Sequence, residues 1–169
     1  MQNVSYLRKF ASPFHGQMGV IMIALGCDHG GYELKQEVIK YLKEKNLEFK
    51  DFGTLNTDSC DYPDFAFAAA KSVANGECEK GIVICTTGIG VSIVANKVKG
   101  VRCALCSDSL SAQMTRCHNN TNMLAMGAGF IGKNLALKIV DVWLNTDFEG
   151  GRHTRRVDKI TAVENGDCI

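Results

Sequence analysis

Cys85 closes the apolar run Ile82-Val83-Ile84 and is followed by Thr86-Thr87-Gly88-Ile89-Gly90-Val91-Ser92. A glycine-rich turn between a buried strand and a helix turns backbone N–H groups outward at a helix N-terminus, a cradle for an oxyanion or a phosphate. The glycines allow close approach and unusual dihedral angles. The spacing is neither a Walker loop nor a full G-x-G-x-x-G, so no nucleotide is demanded. Partial positive charge at such a helix start favours a thiolate, which makes Cys85 a candidate base or nucleophile. The competing reading is a cysteine that merely ends a buried strand.

Three further groups carry usable chemistry. Asp28-His29 follows the apolar run Val20–Leu25. A carboxylate and an imidazole there can bind sugar hydroxyls, shuttle protons or hold phosphate, and Asp28 can equally cap the next helix. His118 precedes Asn119, Asn120 and Asn122. At a helix C-terminus its charged form is favoured by the dipole, and the asparagines equally serve as turn formers. Arg152 and Arg156 are four residues apart. One helix face would therefore carry both guanidinia, as a phosphate clamp or as an ordinary solvated basic face. A base, an oxyanion cradle, an imidazole and a phosphate clamp together fit proton transfer on a small phosphorylated carbonyl compound.

The elements that must position these groups alternate. Apolar runs over 20–25, 47–52, 81–85, 101–106 and 123–126 read as strands. Helical periodicity covers 31–44, 62–75, 88–97, 108–118, 131–145 and about 151–164. The alternation predicts a three-layer αβα sandwich with a Rossmann-like, five-stranded, mainly parallel sheet. In such folds ligands bind beyond the carboxyl ends of the strands, at a topological switch point.

Composition bounds the rest. The 169 residues are 46% hydrophobic and 22% charged, which fits one domain with its own core. Residues 20–169 are expected to form it, with residues 1–19 as a polar extension that lacks the apolar stretch of a secretory signal. A net charge of +1 gives no bulk attraction to nucleic acid or an anionic membrane, so neither is expected as a partner. No apolar run is long enough to span a bilayer. The eight cysteines without a signal sequence point to reduced thiols in the cytoplasm. Cys103-x-x-Cys106 has the spacing of a metal or redox pair, but no second ligand pair accompanies it, and both residues fit a buried strand.

Several motifs in order carry a resemblance: Gly26-Cys27-Asp28-His29-Gly30-Gly31, Asp61-Tyr62-Pro63, Gly81 to Cys85 with Thr87 to Ile93, Ala95-Asn96-Lys97, His118 to Asn122, and Glu149-Gly150-Gly151-Arg152-His153 with Arg156. Over residues 21–164 the chain resembles the B-type ribose-5-phosphate isomerases, in the family that includes galactose-6-phosphate isomerase subunits. The resemblance implies a homodimer, with tetramers left open, and a metal-independent aldose–ketose isomerase needing no cofactor. It would interconvert ribose 5-phosphate and ribulose 5-phosphate in the pentose phosphate pathway. It also implies that Cys85 removes the C2 proton, His118 assists ring opening, and Asp28 and His29 contact the sugar. Thr87, Gly88, Ile89, Gly90, Val91 and Ser92 would stabilise the enediolate. Arg152 and Arg156 would bind phosphate, and Tyr62 and Asn119 would line the site. Each site would combine two subunits, with His118 and Asn119 coming from the neighbour of Cys85.

One departure stands out. Many family members carry an arginine where this chain has Gly129. Glycine supplies no charge, which opens the alternative of a hexose 6-phosphate substrate. A non-catalytic phosphosugar-binding module is the reading from another class, against which Cys85, Asp28 and His118 are all present. A thiol-redox role through Cys103 and Cys106 is the last alternative.

Overall fold

The computed structural model describes residues 21–168; the expected extension over residues 1–19 lies outside them. Five strands form one sheet: β1 (Met22–Cys27), β2 (Glu48–Asp51), β3 (Lys80–Cys85), β4 (Cys103–Leu105) and β5 (Met123–Gly127). The helices are α1 (Tyr32–Glu44), α2 (Tyr62–Ala74), α3 (Ile89–Ala95), α4 (Ser109–Asn119), α5 (Lys133–Leu144) and α6 (Arg152–Asn165). The sheet order is β2-β1-β3-β5-β4, and every pairing is parallel. The mainly parallel sheet read from the sequence is thus wholly parallel among the described residues.

Alternation along the strands builds two cores. Ile82 and Ile84 of β3 and Leu124 and Met126 of β5 face a layer with Leu34, Val38 and Leu42 of α1 and Ile139, Val140 and Trp143 of α5. Val83, Cys85 and Ala125 face the opposite layer, with Ala66, Ala69 and Ala70 of α2 and Val91 and Ala95 of α3. The α1 leucines and valine recur every four residues, so one helical stripe is apolar and the charged remainder faces water. Helix α2 uses alanines, which let its backbone lie close to the sheet. A Cβ added at Gly26 of β1 would stand 2.7 Å from the Phe65 carbonyl oxygen.

Strand β4 is shorter than the expected 101–106, because it is the edge strand and pairs only with β5. Cys103 is half-buried and Cys106 is buried. Burial pushes the Cys103 thiol up to about 12 and the Cys106 thiol up to about 11. Both stay protonated near neutral pH, which removes the reactivity a redox pair needs.

The chain leaves β1 toward β2 on one side and β3 toward β4 and β5 on the other. The switch point therefore lies between the carboxyl ends of β1 and β3. There the Asp28 N–H donates to the Ile84 carbonyl at 3.3 Å. No helix among the described residues is long and apolar enough to cross a membrane.

Trp143 anchors the sheet's opposite end. It is fully buried, and its Nε1 donates to Thr121 Oγ1 at 3.0 Å. Lys80 and Arg116 lie 5.6 and 5.9 Å from its ring centre. Trp143→Ala removes this wedge and leaves a cavity, so a loss of about 3–5 kcal/mol in urea-unfolding stability is expected.

Candidate active site

At the switch point the chain turns Cys85 toward its own loop. The Gly88 N–H donates to Cys85 Sγ at 3.0 Å, and Thr87 Oγ1 lies 3.9 Å from the same sulfur. Gly88 adopts φ +75°, which glycine reaches without strain. The turn is also too tight for a side chain, since a Cβ at Gly88 would fall 2.7 Å from the Met126 carbonyl carbon. Thr87 Oγ1 accepts from the Ile89 N–H at 3.2 Å, which caps the first turn of α3. The next amides, Gly90 and Val91, belong to that first turn and have no helical carbonyl to meet, so they can take an oxyanion.

The end of β1 supplies the facing wall. Asp28 is buried, and its Oδ1 accepts from the Gly31 N–H at 3.0 Å. The capping role weighed for it is therefore realised, on a short 3-10 turn over His29–Gly31. His29 is exposed, and its Nδ1 accepts from the Cys60 N–H at 3.2 Å. In the neutral ring the proton then sits on Nε2, leaving that nitrogen as a donor. The 52–60 loop that brings Cys60 here is held by the buried Lys35. Its Nζ bonds Asp51 at 2.6 and 2.8 Å and the Thr54 carbonyl at 2.6 Å. Tyr62 covers the glycine-rich loop, for a Cβ at Gly90 would meet its ring at 2.6 Å. Gly129 is exposed, and its N–H donates to the Thr86 carbonyl at 2.8 Å, so its bare backbone braces the cradle.

His118, Asn119, Arg152 and Arg156 form a second group. The rings of His118 and His153 stack at 4.2 Å with 5° between planes. Glu149 Oε2 lies 3.9 Å from His118 Nε2 and 3.8 Å from His153 Nε2. The Glu149 N–H donates to the Cys117 carbonyl at 3.1 Å, tying the start of α6 to the end of α4. Gly150 and Gly151, at φ +66° and +54°, make the turn that brings α6 back over His118. Arg152 and Arg156 are both exposed on the first turns of α6, where the helix N-terminus also favours an anion.

One chain does not bring the two groups together. Met123 pairs with Gly81 and Gly127 with Cys85, so β5 starts at the amino end of the sheet and finishes beside Cys85. His118 and Asn119 end α4 just before β5 begins. They lie about 13 Å from Cys85 along the strand direction, four strand residues at ~3.3 Å each. Among the described residues no hydrogen bond, ion pair or ring contact joins the groups. The carboxyl ends of the strands hold Cys85 and Asp28, whereas His118 and Asn119, with α6 packed beside them, stand at the amino end.

A family model described as ribose/galactose isomerase matches residues 23–160. The chain is 50% identical over 142 residues to ribose-5-phosphate isomerase B of Escherichia coli, covering 84% of this chain and 95% of that one. It superposes on a Clostridium thermocellum ribose-5-phosphate isomerase B with a TM-score of 0.85 and 51% identity, covering 86% and 99% of the two chains. This chain belongs to the ribose/galactose isomerase family. A Mycoplasma genitalium ribose-5-phosphate isomerase B solved with bound ribulose 5-phosphate is 43% identical, with a TM-score of 0.83 over 86% and 97% of the two chains. The resemblance read from the motifs and the αβα fold are both borne out.

Glu149 and His153 stood in the motif without a role of their own. Their meeting with His118 depends on the Gly150-Gly151 turn, and E-G-G-R-H spacing was the available signal. Burial, then the nearby His118, Arg152 and Arg156, hold the His153 imidazole below the usual histidine range, while Glu149 pulls the other way. The unfolded chain therefore binds this proton first as pH falls. Stability conferred by neutral His153 is present above about pH 6.5 and is lost below it. Urea unfolding from about pH 7.5 to about pH 5.5 is expected to show a smaller loss in His153→Asn than in wild type.

Proposed function

We propose that this protein interconverts ribose 5-phosphate and ribulose 5-phosphate through an enediolate, as a cytoplasmic homodimer whose two sites each draw on both chains. The observation that carries this reading is the Cys85 sulfur held beneath the Gly88 N–H at the mouth of an oxyanion cradle. Close relatives named for the same reaction support it. Free cysteines throughout the described chain fit a reducing compartment.

The chemistry runs as follows. His118 assists opening of the furanose. The Cys85 thiolate then takes the C2 proton, the C2–H electron pair forms the C1–C2 double bond, and the C1 carbonyl pair moves onto O1. The amides after Thr87 hold the enediolate charge, each such donor being worth about 3 kcal/mol. The O2 proton leaves as the C2 carbonyl forms, O1 takes a proton, and Cys85 returns its proton to C1. Asp28 and the His29 Nε2–H bind sugar hydroxyls, Tyr62 closes the side and Asn119 lines the site. Arg152 and Arg156 hold the phosphate, whose binding energy fixes the open chain for proton transfer.

Strand direction supports the shared site, because one chain separates Cys85 from His118. Exposed apolar residues offer a surface for a second copy: Ile89 and Ile93 on α3, Leu105 beside Gly88, and Leu110 at the start of α4.

Cys85→Ala is expected to lower isomerisation about 10²- to 10⁴-fold while phosphosugar binding persists. Arg152→Ala should raise KM roughly tenfold or more. A steady-state assay that finds near-normal turnover in Cys85→Ala would remove Cys85 as the base. Refolding Cys85→Ala together with His118→Ala should restore about a quarter of wild-type activity, since half the dimers are mixed and each mixed dimer has one intact site. Sites built within single chains would give no restoration.

A further inference from the structure

We propose that Glu149 and His153 are positioning residues for His118, fixing the imidazole that opens the sugar ring before any carbon-bound proton moves. This rests on the reading of His118 given above.

The geometry leaves little freedom to the His118 ring. One face is covered by the parallel ring of His153 at 4.2 Å. His153 is itself immobilised, being 5% exposed. Arg152 Nε donates to its Nε2 at 3.4 Å, and Arg156 Nη1 lies 3.5 Å from its Nδ1. The Nε2 that accepts from Arg152 carries no proton, and burial beside two guanidinia disfavours the charged ring, so His153 is kept neutral. It therefore stacks on His118 without repelling a charged ring. Glu149 supplies the countercharge to His118, its Oε2 lying 3.9 Å from His118 Nε2. The His118 side chain stays 37% exposed, open to substrate on its other face.

Two histidines and a carboxylate within 4.8 Å of one another are also a possible donor set for a divalent cation. The surroundings oppose that use. Arg152 already bonds the nitrogen that His153 would offer, and two guanidinia beside the cluster repel a dication. Proton transfer suits the site better.

In ring opening the bond between C1 and the ring oxygen breaks, and its electron pair stays on that oxygen. The ring oxygen takes the proton of the His118 imidazolium. The O1 proton passes to solvent water, its electron pair completes the C1 carbonyl, and His118 recovers a proton from water. A correctly oriented, chargeable His118 is required for this step and not for the enediolate step at Cys85.

The two steps separate experimentally. Ribulose 5-phosphate has its carbonyl at C2 and its O5 on phosphate, so it forms no five-membered ring. Entry of solvent deuterium at its C1 reports the carbon-bound proton alone, whereas conversion of ribose 5-phosphate also requires ring opening. Both are measured by NMR for wild type, Glu149→Gln and His153→Asn, with Glu149→Asp as the conservative comparison. The expected result is a loss of about tenfold or more in ribose 5-phosphate conversion for Glu149→Gln and His153→Asn, with deuterium entry within about twofold of wild type. Glu149→Asp should recover most of the conversion. Equal loss of both readouts in the near-isosteric Glu149→Gln, at an exposed position where folding is not at stake, would assign Glu149 to structure or phosphate binding and overturn the proposal. Unchanged conversion would overturn it as well. A wild type that neither converts nor exchanges would instead refute the isomerase reading itself.

Discussion

A single contact organises the candidate site: the Gly88 N–H donating to the Cys85 sulfur at 3.0 Å. It needs a left-handed residue directly after Thr87, and Gly88 at φ +75° supplies it. It also needs β5 to finish alongside, because Gly127 and Met126 press against the same turn. Strand β3 delivers the sulfur, the turn delivers the amide, and α3 starts where its unpaired amides face the same space. The neighbouring thiol of Cys27 ends β1 one strand away, and burial pushes it up to about 11. Both cysteines end a strand, and the Cys85 sulfur receives an amide from a glycine turn.

Strand direction imposes the second constraint. In a parallel sheet, groups after a strand and groups before a strand lie at opposite ends. Cys85 and Asp28 follow strands, and His118 precedes one. The proposed chemistry uses both ends, which is why the proposal needs two chains. Exposed apolar residues around Gly88 offer a surface for that association, and the modest net charge of +1 does not oppose it.

Much of the fold was legible because its signals were local. The every-fourth-residue stripe of α1 and the continuous apolar run of β3 fall within one or two residues of where periodicity put them. Strand β4 is shorter than its apolar run, since apolar content cannot reveal that the ladder with β5 covers only Cys103–Leu105. For Cys85, Thr87 and Gly88 the loop's spacing was itself the signal. For His118 and Arg152 it was not: their residue types pointed to the chemistry, but which end of the sheet they occupy follows from topology. The meeting of His118, Glu149 and His153 was hidden for a related reason. It joins residues some thirty positions apart through a turn whose course two positive-φ glycines decide.

The proposed shared site requires one chain to supply the sulfur and its partner the imidazole and guanidinia. A crystal structure of the protein with ribulose 5-phosphate bound tests this most directly. The expected result is C1 of the sugar beside Cys85 Sγ of one chain, with the phosphate on Arg152 and Arg156 of the other. A sugar held by residues of one chain alone, with Cys85 of that chain remote from C1 and C2, would contradict it.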